Sequence, residues 1–245
     1  MKALLLALQF LTSIPVNLRA EPRPADWGRS ALAYPLIGLL IGLLLAALQR
    51  LLGHADGLLQ AALLTAAWAL ITGGLHLDGL ADSADAWVGG CGDRERTLAI
   101  MKDPRSGPAG VAAIVLVLLV KFAALAALVK TGAWPTLLLA PLLGRSALVA
   151  LLLTTPYVRP GGLGAAISAC LPRPSAALIL SLVIGAVLLL AGRLAALALA
   201  GAALAWLALR WMMMRRLGGM TGDTLGAAVE LTELATLIVL GVCQT

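Results

Sequence analysis

What most constrains this chain is a series of long apolar runs almost free of charge. An α-helix needs roughly 17–25 such residues to cross a bilayer. The stretches 30–52, 57–72, 109–130, 134–155, 175–192, 194–214 and 225–242 approach or reach that length. The second is short, and the fifth and sixth are parted only by Gly192 and Arg193. With 61% hydrophobic and 12% charged residues in 245, the composition excludes a soluble core. Backbone amides inside lipid must be satisfied within each segment, which selects helices. The expected fold is therefore all-α, a polytopic transmembrane bundle of about seven spans. No polar stretch exceeds about 30 residues, too few for a separate soluble unit. The whole of 1–245 is read as one integral-membrane domain. Its opening, 1–16, has one Lys before an apolar run and so raises a cleavable leader. No small-residue cleavage site follows, and Pro15 ends the run. It reads as a short amphipathic or re-entrant segment ahead of the spans.

The placement of charge gives an orientation. The segments before the first span and after the second, fourth and sixth, with Arg19 among them, hold thirteen of the eighteen Lys and Arg. Basic residues favour the cytoplasmic side, which puts the N-terminus inside and the C-terminus outside. Of twelve Asp and Glu, only Asp56 falls on the outer side. Both signs of charge collect on the cytoplasmic face, and the chemistry is expected there. The net charge of +6 is thereby read as topology, with no nucleic-acid partner implied. Cys91, Cys170 and Cys243 are scattered and suggest neither a disulfide framework nor a zinc site.

The densest chemistry lies at 73–85, Gly-Gly-Leu-His-Leu-Asp-Gly-Leu-Ala-Asp-Ser-Ala-Asp. In a helix, steps of four and three residues bring Asp78, Asp82 and Asp85 onto one face. Three adjacent anions repel, and a divalent cation removes that penalty. Carboxylate-only ligation suits Mg²⁺, which is commonly held by a few carboxylates and the phosphates of a substrate. A solvated acidic face is the alternative. His76, beside this helix, is the candidate for orienting a ligand, or for a single structural hydrogen bond.

Lys102, Asp103 and Arg105, with Ser106 and Gly107, form a polar turn before an apolar run. There Arg105 is placed to clamp a phosphate bidentately, and the helix start to receive an anion. For Lys102 a positive-inside anchor is an equal reading. Lys121 and Arg145 lie inside spans, where ionisable groups face the bundle interior. The last motif, 218–233, opens on glycines that permit close backbone approach. Within it stand Gly219, Thr221, Asp223, Glu230 and Glu233. Carboxylates inside a span must meet metal, cation or water. Pairing of Glu230 and Glu233 with Lys121 or Arg145 is the structural alternative, and it too describes a polar cavity.

These residues resemble one family. The 73–85 stretch is similar to the signature of the cobalamin synthase family, the adenosylcobinamide-GDP ribazoletransferases. Phe-Leu-Thr-Ser-Ile-Pro-Val (10–16), Met-Lys-Asp-Pro-Arg-Ser-Gly (101–107) and Gly-Met-Thr-Gly-Asp-Thr-Leu-Gly-Ala (219–227) with Glu230 and Glu233 resemble it too, in the family's order. Pro104, Pro108 and Trp87 depart from the pattern. The resemblance implies a multi-pass enzyme of the bacterial inner membrane, its active site facing the cytoplasm. Adenosylcobinamide-GDP and α-ribazole, or α-ribazole 5′-phosphate, would give adenosylcobalamin, or its 5′-phosphate, and GMP, with Mg²⁺. The implied roles are metal binding for Asp78, Asp82 and Asp85, with Asp85 also the base for the attacking hydroxyl. Arg105 and Lys102 would offset phosphate charge. His76, Asp103, Arg145, Gly219, Thr221, Asp223, Glu230 and Glu233 would complete the cage or hold substrate. The partners are these substrates and the lipid bilayer, and association of several copies of the chain is compatible with the sequence.

Two other readings stand beside it. Membrane enzymes that use a CDP-alcohol donor carry a similar Asp-Gly-x-x-Ala cluster, but Asp82 stands here where those have Arg. A proton- or ion-coupled transporter would use buried acids as a relay, yet needs access from both sides, and these acids crowd one face.

Overall fold

In the computed structural model the chain is described over residues 2–18, 21–132, 134–190 and 192–243. Arg19, counted above among the cytoplasmic charges, lies outside them. The described chain is helical: α1 (Lys2–Leu11), α2 (Pro24–Ser30), α3 (Tyr34–Leu51), α4 (Gly57–Ile71), α5 (Leu75–Gly89), α6 (Arg94–Ile100), α7 (Pro108–Lys130), α8 (Leu139–Thr154), α9 (Gly162–Ala169), α10 (Arg173–Leu190), α11 (Gly192–Leu217) and α12 (Gly222–Cys243). Among the described residues, five helical stretches are long and apolar enough to cross a bilayer by themselves. Two bent pairs, α4 with α5 and α9 with α10, raise the number to seven. The protein is thus a multi-pass membrane protein, and α1 is the short apolar helix read from residues 1–16.

Local chemistry sets the element ends. The Asp56 carboxylate accepts the amides of Leu58 and Leu59 at 2.9 and 3.3 Å and caps α4. Pro108 stands at the first turn of α7, where a missing N–H costs nothing. Its departure from the family pattern therefore suits a helix start. The break between α4 and α5 falls on Gly73 and Gly74, whose φ values of +61° and +70° are left-handed. There the chain turns by 88°, so α5 runs across the bundle rather than along α4.

α12 is the central post, packed by α5, α7, α8 and α11. Its crossing with α5 is backbone on backbone. A Cβ on Gly79 would stand 2.7 Å from the Asp223 carbonyl oxygen, and one on Gly226 3.3 Å from the Gly79 Cα. No side chain fits between these helices at that point. Leucines such as Leu116, Leu119, Leu182, Leu189, Leu204 and Leu207 are exposed on α7, α10 and α11, where lipid covers them at no polar cost.

One end of the bundle is laced by polar contacts. The Val158 amide donates to the Met220 carbonyl at 2.9 Å, and the Met220 amide to the Pro156 carbonyl at 2.8 Å. Arg94 donates to the Leu217 carbonyl at 2.7 Å. Arg216 donates to the Trp87 carbonyl at 2.9 Å, its guanidinium 5.8 Å from the Trp87 ring. Trp87, another of the three departures, is thus part of a clasp between α5 and the end of α11.

Candidate active site

At that laced end α5 lies across the N-terminal starts of α7 and α12. The i, i+4, i+7 spacing of Asp78, Asp82 and Asp85 holds along α5, but the three carboxylates meet different surroundings. Asp78 is exposed and Asp82 half-buried. Among the described residues neither receives a hydrogen bond or forms an ion pair. Asp223, in the first turn of α12, is brought to them by the Gly79–Gly226 crossing. Asp78, Asp85, Asp223 and Arg159 all lie within electrostatic range of Asp82. Arg159 is the cation of this group, its Nη2 2.7 Å from Asp223 Oδ2. The 156–158 to 220 pairing places Arg159 there. Sequence reasoning passed over Arg159 as one basic residue among several. Its signal was the short Pro156–Pro160 segment facing the 218–223 loop.

Asp85 has a different task. One oxygen accepts the Gly107 amide at 2.6 Å and the other the Gly110 amide at 2.9 Å. These are orphan donors of the α7 start, so Asp85 caps a helix in another part of the chain. Each Asp85 oxygen thus holds one backbone N–H group, an arrangement that suits an anchor of the turn. Asp85→Ala should loosen the 101–108 turn. Limited trypsin cleavage at Lys102 and Arg105 is expected to quicken by about tenfold, the effect of one lost charged cap. Unchanged cleavage would remove the capping role.

Within that turn Asp103 binds Arg105 through the Arg105 amide at 3.1 Å, Nε at 2.9 Å and Nη2 at 2.7 Å. The side-chain hydrogen bonds from Arg105 hold the Asp103 carboxyl down at about 2. It stays ionised at any physiological pH and keeps the guanidinium fork folded back on its own turn. Lys102 is exposed beside it.

Thr221 is fully buried and caps α12, accepting the Thr224 amide at 3.3 Å while Thr224 Oγ1 accepts the Thr221 amide at 2.9 Å. Gly219 lies against the Pro156 carbonyl, where a Cβ would approach to 2.3 Å. Both residues shape the loop that carries Asp223.

Glu230 and Glu233 lie deeper, about 10 and 15 Å along α12 from Asp223 at 1.5 Å per residue. Lys121 Nζ stands 2.6 Å from Glu230 and 2.6 Å from Glu233, and 4.5 Å from the Trp68 ring centroid. Arg145, fully buried, pairs with Glu233. Two cations and two anions balance inside the bundle. The expectation that Glu230, Glu233 and Arg145 line the substrate cup gives way to the paired alternative, because each acid is already held by a cation. His76, 3% exposed, sits between this buried group and the acidic end.

Among the described residues, no three His, Cys, Asp or Glu side chains gather closely enough to hold a metal by themselves. The donor set nevertheless fits a hard cation. Asp78 and Asp82 are oxygen donors that no cation among the described residues pairs with directly, Arg159 lying within range of Asp82 but bound to Asp223. A divalent ion bound there would take the rest of its shell from water and phosphate.

A family profile described as Cobalamin-5-phosphate synthase matches residues 3–241. A relative from Pseudomonas fluorescens, named adenosylcobinamide-GDP ribazoletransferase, is 58% identical over 95% of this chain and 96% of its own. Proteins of the same name from Pseudomonas paraeruginosa and Stutzerimonas stutzeri are each 57% identical, covering 98% and 97% of this chain and the same shares of their own. No solved structure matches.

Proposed function

We propose, from the premise that this chain belongs to the cobalamin-5-phosphate synthase family, how its acidic end completes a nucleotide loop. The protein is a transferase of cobalamin biosynthesis that acts on adenosylcobinamide-GDP. The observation carrying this is the match to ribazoletransferases over nearly the full length of both chains. The acceptor is α-ribazole or its 5′-phosphate. A ribose hydroxyl oxygen bonds to the phosphorus next to cobinamide, the bond from that phosphorus to the GMP oxygen breaks, and GMP leaves. Such phosphoryl transfer rests on positioning and charge neutralisation, with little covalent work for the protein.

Asp78 and Asp82 would hold Mg²⁺, which supplies charge neutralisation on the diphosphate when bound. Arg159 offers its guanidinium to the phosphates. As it turns from Asp223, that carboxylate is freed to take the hydroxyl proton. Arg105 exchanges Asp103 for a phosphate oxygen when the donor arrives, and Lys102 adds a mobile charge. Asp85 anchors the turn that carries both. The acidic end faces the cytoplasm of a bacterial inner membrane with the N-terminus inside, as the basic residues at that end favour.

The test is GMP release by the purified protein in nanodiscs, given adenosylcobinamide-GDP and α-ribazole. GMP is expected only with both substrates and Mg²⁺, and chelation should abolish it. CMP release from a CDP-alcohol donor, without GMP release, would overturn the reading in favour of the lipid-type enzymes. Full activity in chelator would remove the metal.

A further inference from the structure

Beside the Asp78–Asp223 pair a cavity of about 230 Å³ opens into the bundle. Phe10, Tyr34, Leu148, Leu152 and Ile167 wall it, from helices distant in sequence. The Phe10 and Tyr34 rings stand 6.1 Å apart, tilted by 30°, and give the cavity one aromatic wall. Its rim carries Asp78 and Asp223, two residues of the reacting end. Two of its lining side chains, Tyr34 and His76, carry a buried polar atom that no described residue pairs. His76 lines the cavity at 3% exposure, its Nδ1 is buried without a partner, and no described residue hydrogen-bonds either ring nitrogen. A buried imidazole left unpaired costs stability, so such a group calls for a ligand that completes it.

We infer that this cavity seats the aromatic base of the ribazole acceptor, an inference that rests on the proposed function. The size decides the class first. About 230 Å³ falls below the roughly 300 Å³ at which pockets hold a whole drug-sized ligand. It admits one flat ring system and excludes a corrin. Polarity decides next. Guanine carries more donors and acceptors than the Tyr34 hydroxyl and the His76 imidazole could pair, and walls of Leu, Ile and Phe would leave the rest unmet. A benzimidazole offers two apolar faces and one free ring nitrogen, an acceptor that the His76 N–H meets. The position agrees: with its base in the cavity, the attached ribose emerges at the rim, where Asp78 and Asp223 border the phosphorus. His76 and the wall thereby choose the base, while the acids and Arg159 handle the phosphates.

The experiment uses the full-length protein in nanodiscs. Equilibrium binding of α-ribazole alone is read from the intrinsic fluorescence of its base, and KM for each substrate from GMP release. Leu163→Trp, at the half-buried edge of the cavity, is expected to weaken ribazole binding and raise its KM by at least about tenfold, the usual cost of blocking an apolar subsite. KM for adenosylcobinamide-GDP should move less than about twofold. His76→Ala should weaken ribazole binding by about tenfold, and His76→Gln should recover part by returning a donor. A rise in the adenosylcobinamide-GDP KM alone would give the cavity to guanine and overturn the inference. Unchanged constants in variants with wild-type elution profiles would do the same. Ribazole binding that responds to these variants while no substrate pair releases GMP would keep the base pocket and overturn the proposed reaction. GMP release that ignores them would do the reverse.

Discussion

Asn at both Asp78 and Asp82 is expected to lower the rate of GMP release by at least about 10³-fold while leaving the bundle folded. About 4 kcal/mol of transition-state stabilisation corresponds to that factor, an ordinary share for the carboxylates that hold a catalytic cation. The fold should tolerate the change because neither side chain makes a hydrogen bond or ion pair with a described residue. Removing two unneutralised anions from one helix face, if anything, relieves repulsion. Unfolding temperature in detergent should therefore hold or rise as activity falls. The single variants should also shift the Mg²⁺ concentration for half-maximal rate upward, which a merely structural role would not do. A folded double variant with the wild-type rate would remove both residues from the chemistry.

Glu233→Gln should act in the opposite way, on stability more than on catalysis. Glu233 is wholly buried and paired with both Lys121 and Arg145. Its loss leaves two buried cations facing Glu230 alone. Breaking a buried pair from one side costs roughly 3–5 kcal/mol, because the remaining charge is stranded in low dielectric. The measurement is thermal unfolding in detergent, with a lower midpoint expected. Adding Lys121→Met to Glu233→Gln restores one cation to one anion, Arg145 to Glu230, and should recover part of the loss. Protein that stays folded should keep its KM for both substrates. A Glu233→Gln variant as stable as wild type would show that the charges are met in some other way.

The sequence carried the spans and the clustering of charge because both follow from local composition: apolar runs on one hand, interruptions by Asp, Arg and Gly on the other. It also carried Asp78 and Asp82, whose spacing defines a face once the segment is helical. Asp85 belongs to the same spacing, yet its destination depends on where α7 begins, a contact across 22 and 25 residues of chain. Glu230 and Glu233 illustrate the same limit. Spacing puts them near the face of Asp223, but only the packing of α7 and α8 on α12 shows that Lys121 and Arg145 reach them first. Arg159 was hidden for the plainest reason. A single basic residue in a Pro-bounded turn looks like an anchor until Met220 pairs with that turn.

The bend at Gly73–Gly74 bears on the bilayer itself. A helix of fifteen residues such as α4 rises only about 22 Å, against roughly 30 Å of hydrocarbon. If α4 starts at one membrane surface, α5 turns aside before the opposite headgroups, and its floor of carboxylates then lies below that level or the lipid thins to meet it. A water-soluble diphosphate must then dip into a dent in the membrane to react. Acyl-chain length thereby becomes a variable of the enzyme's rate.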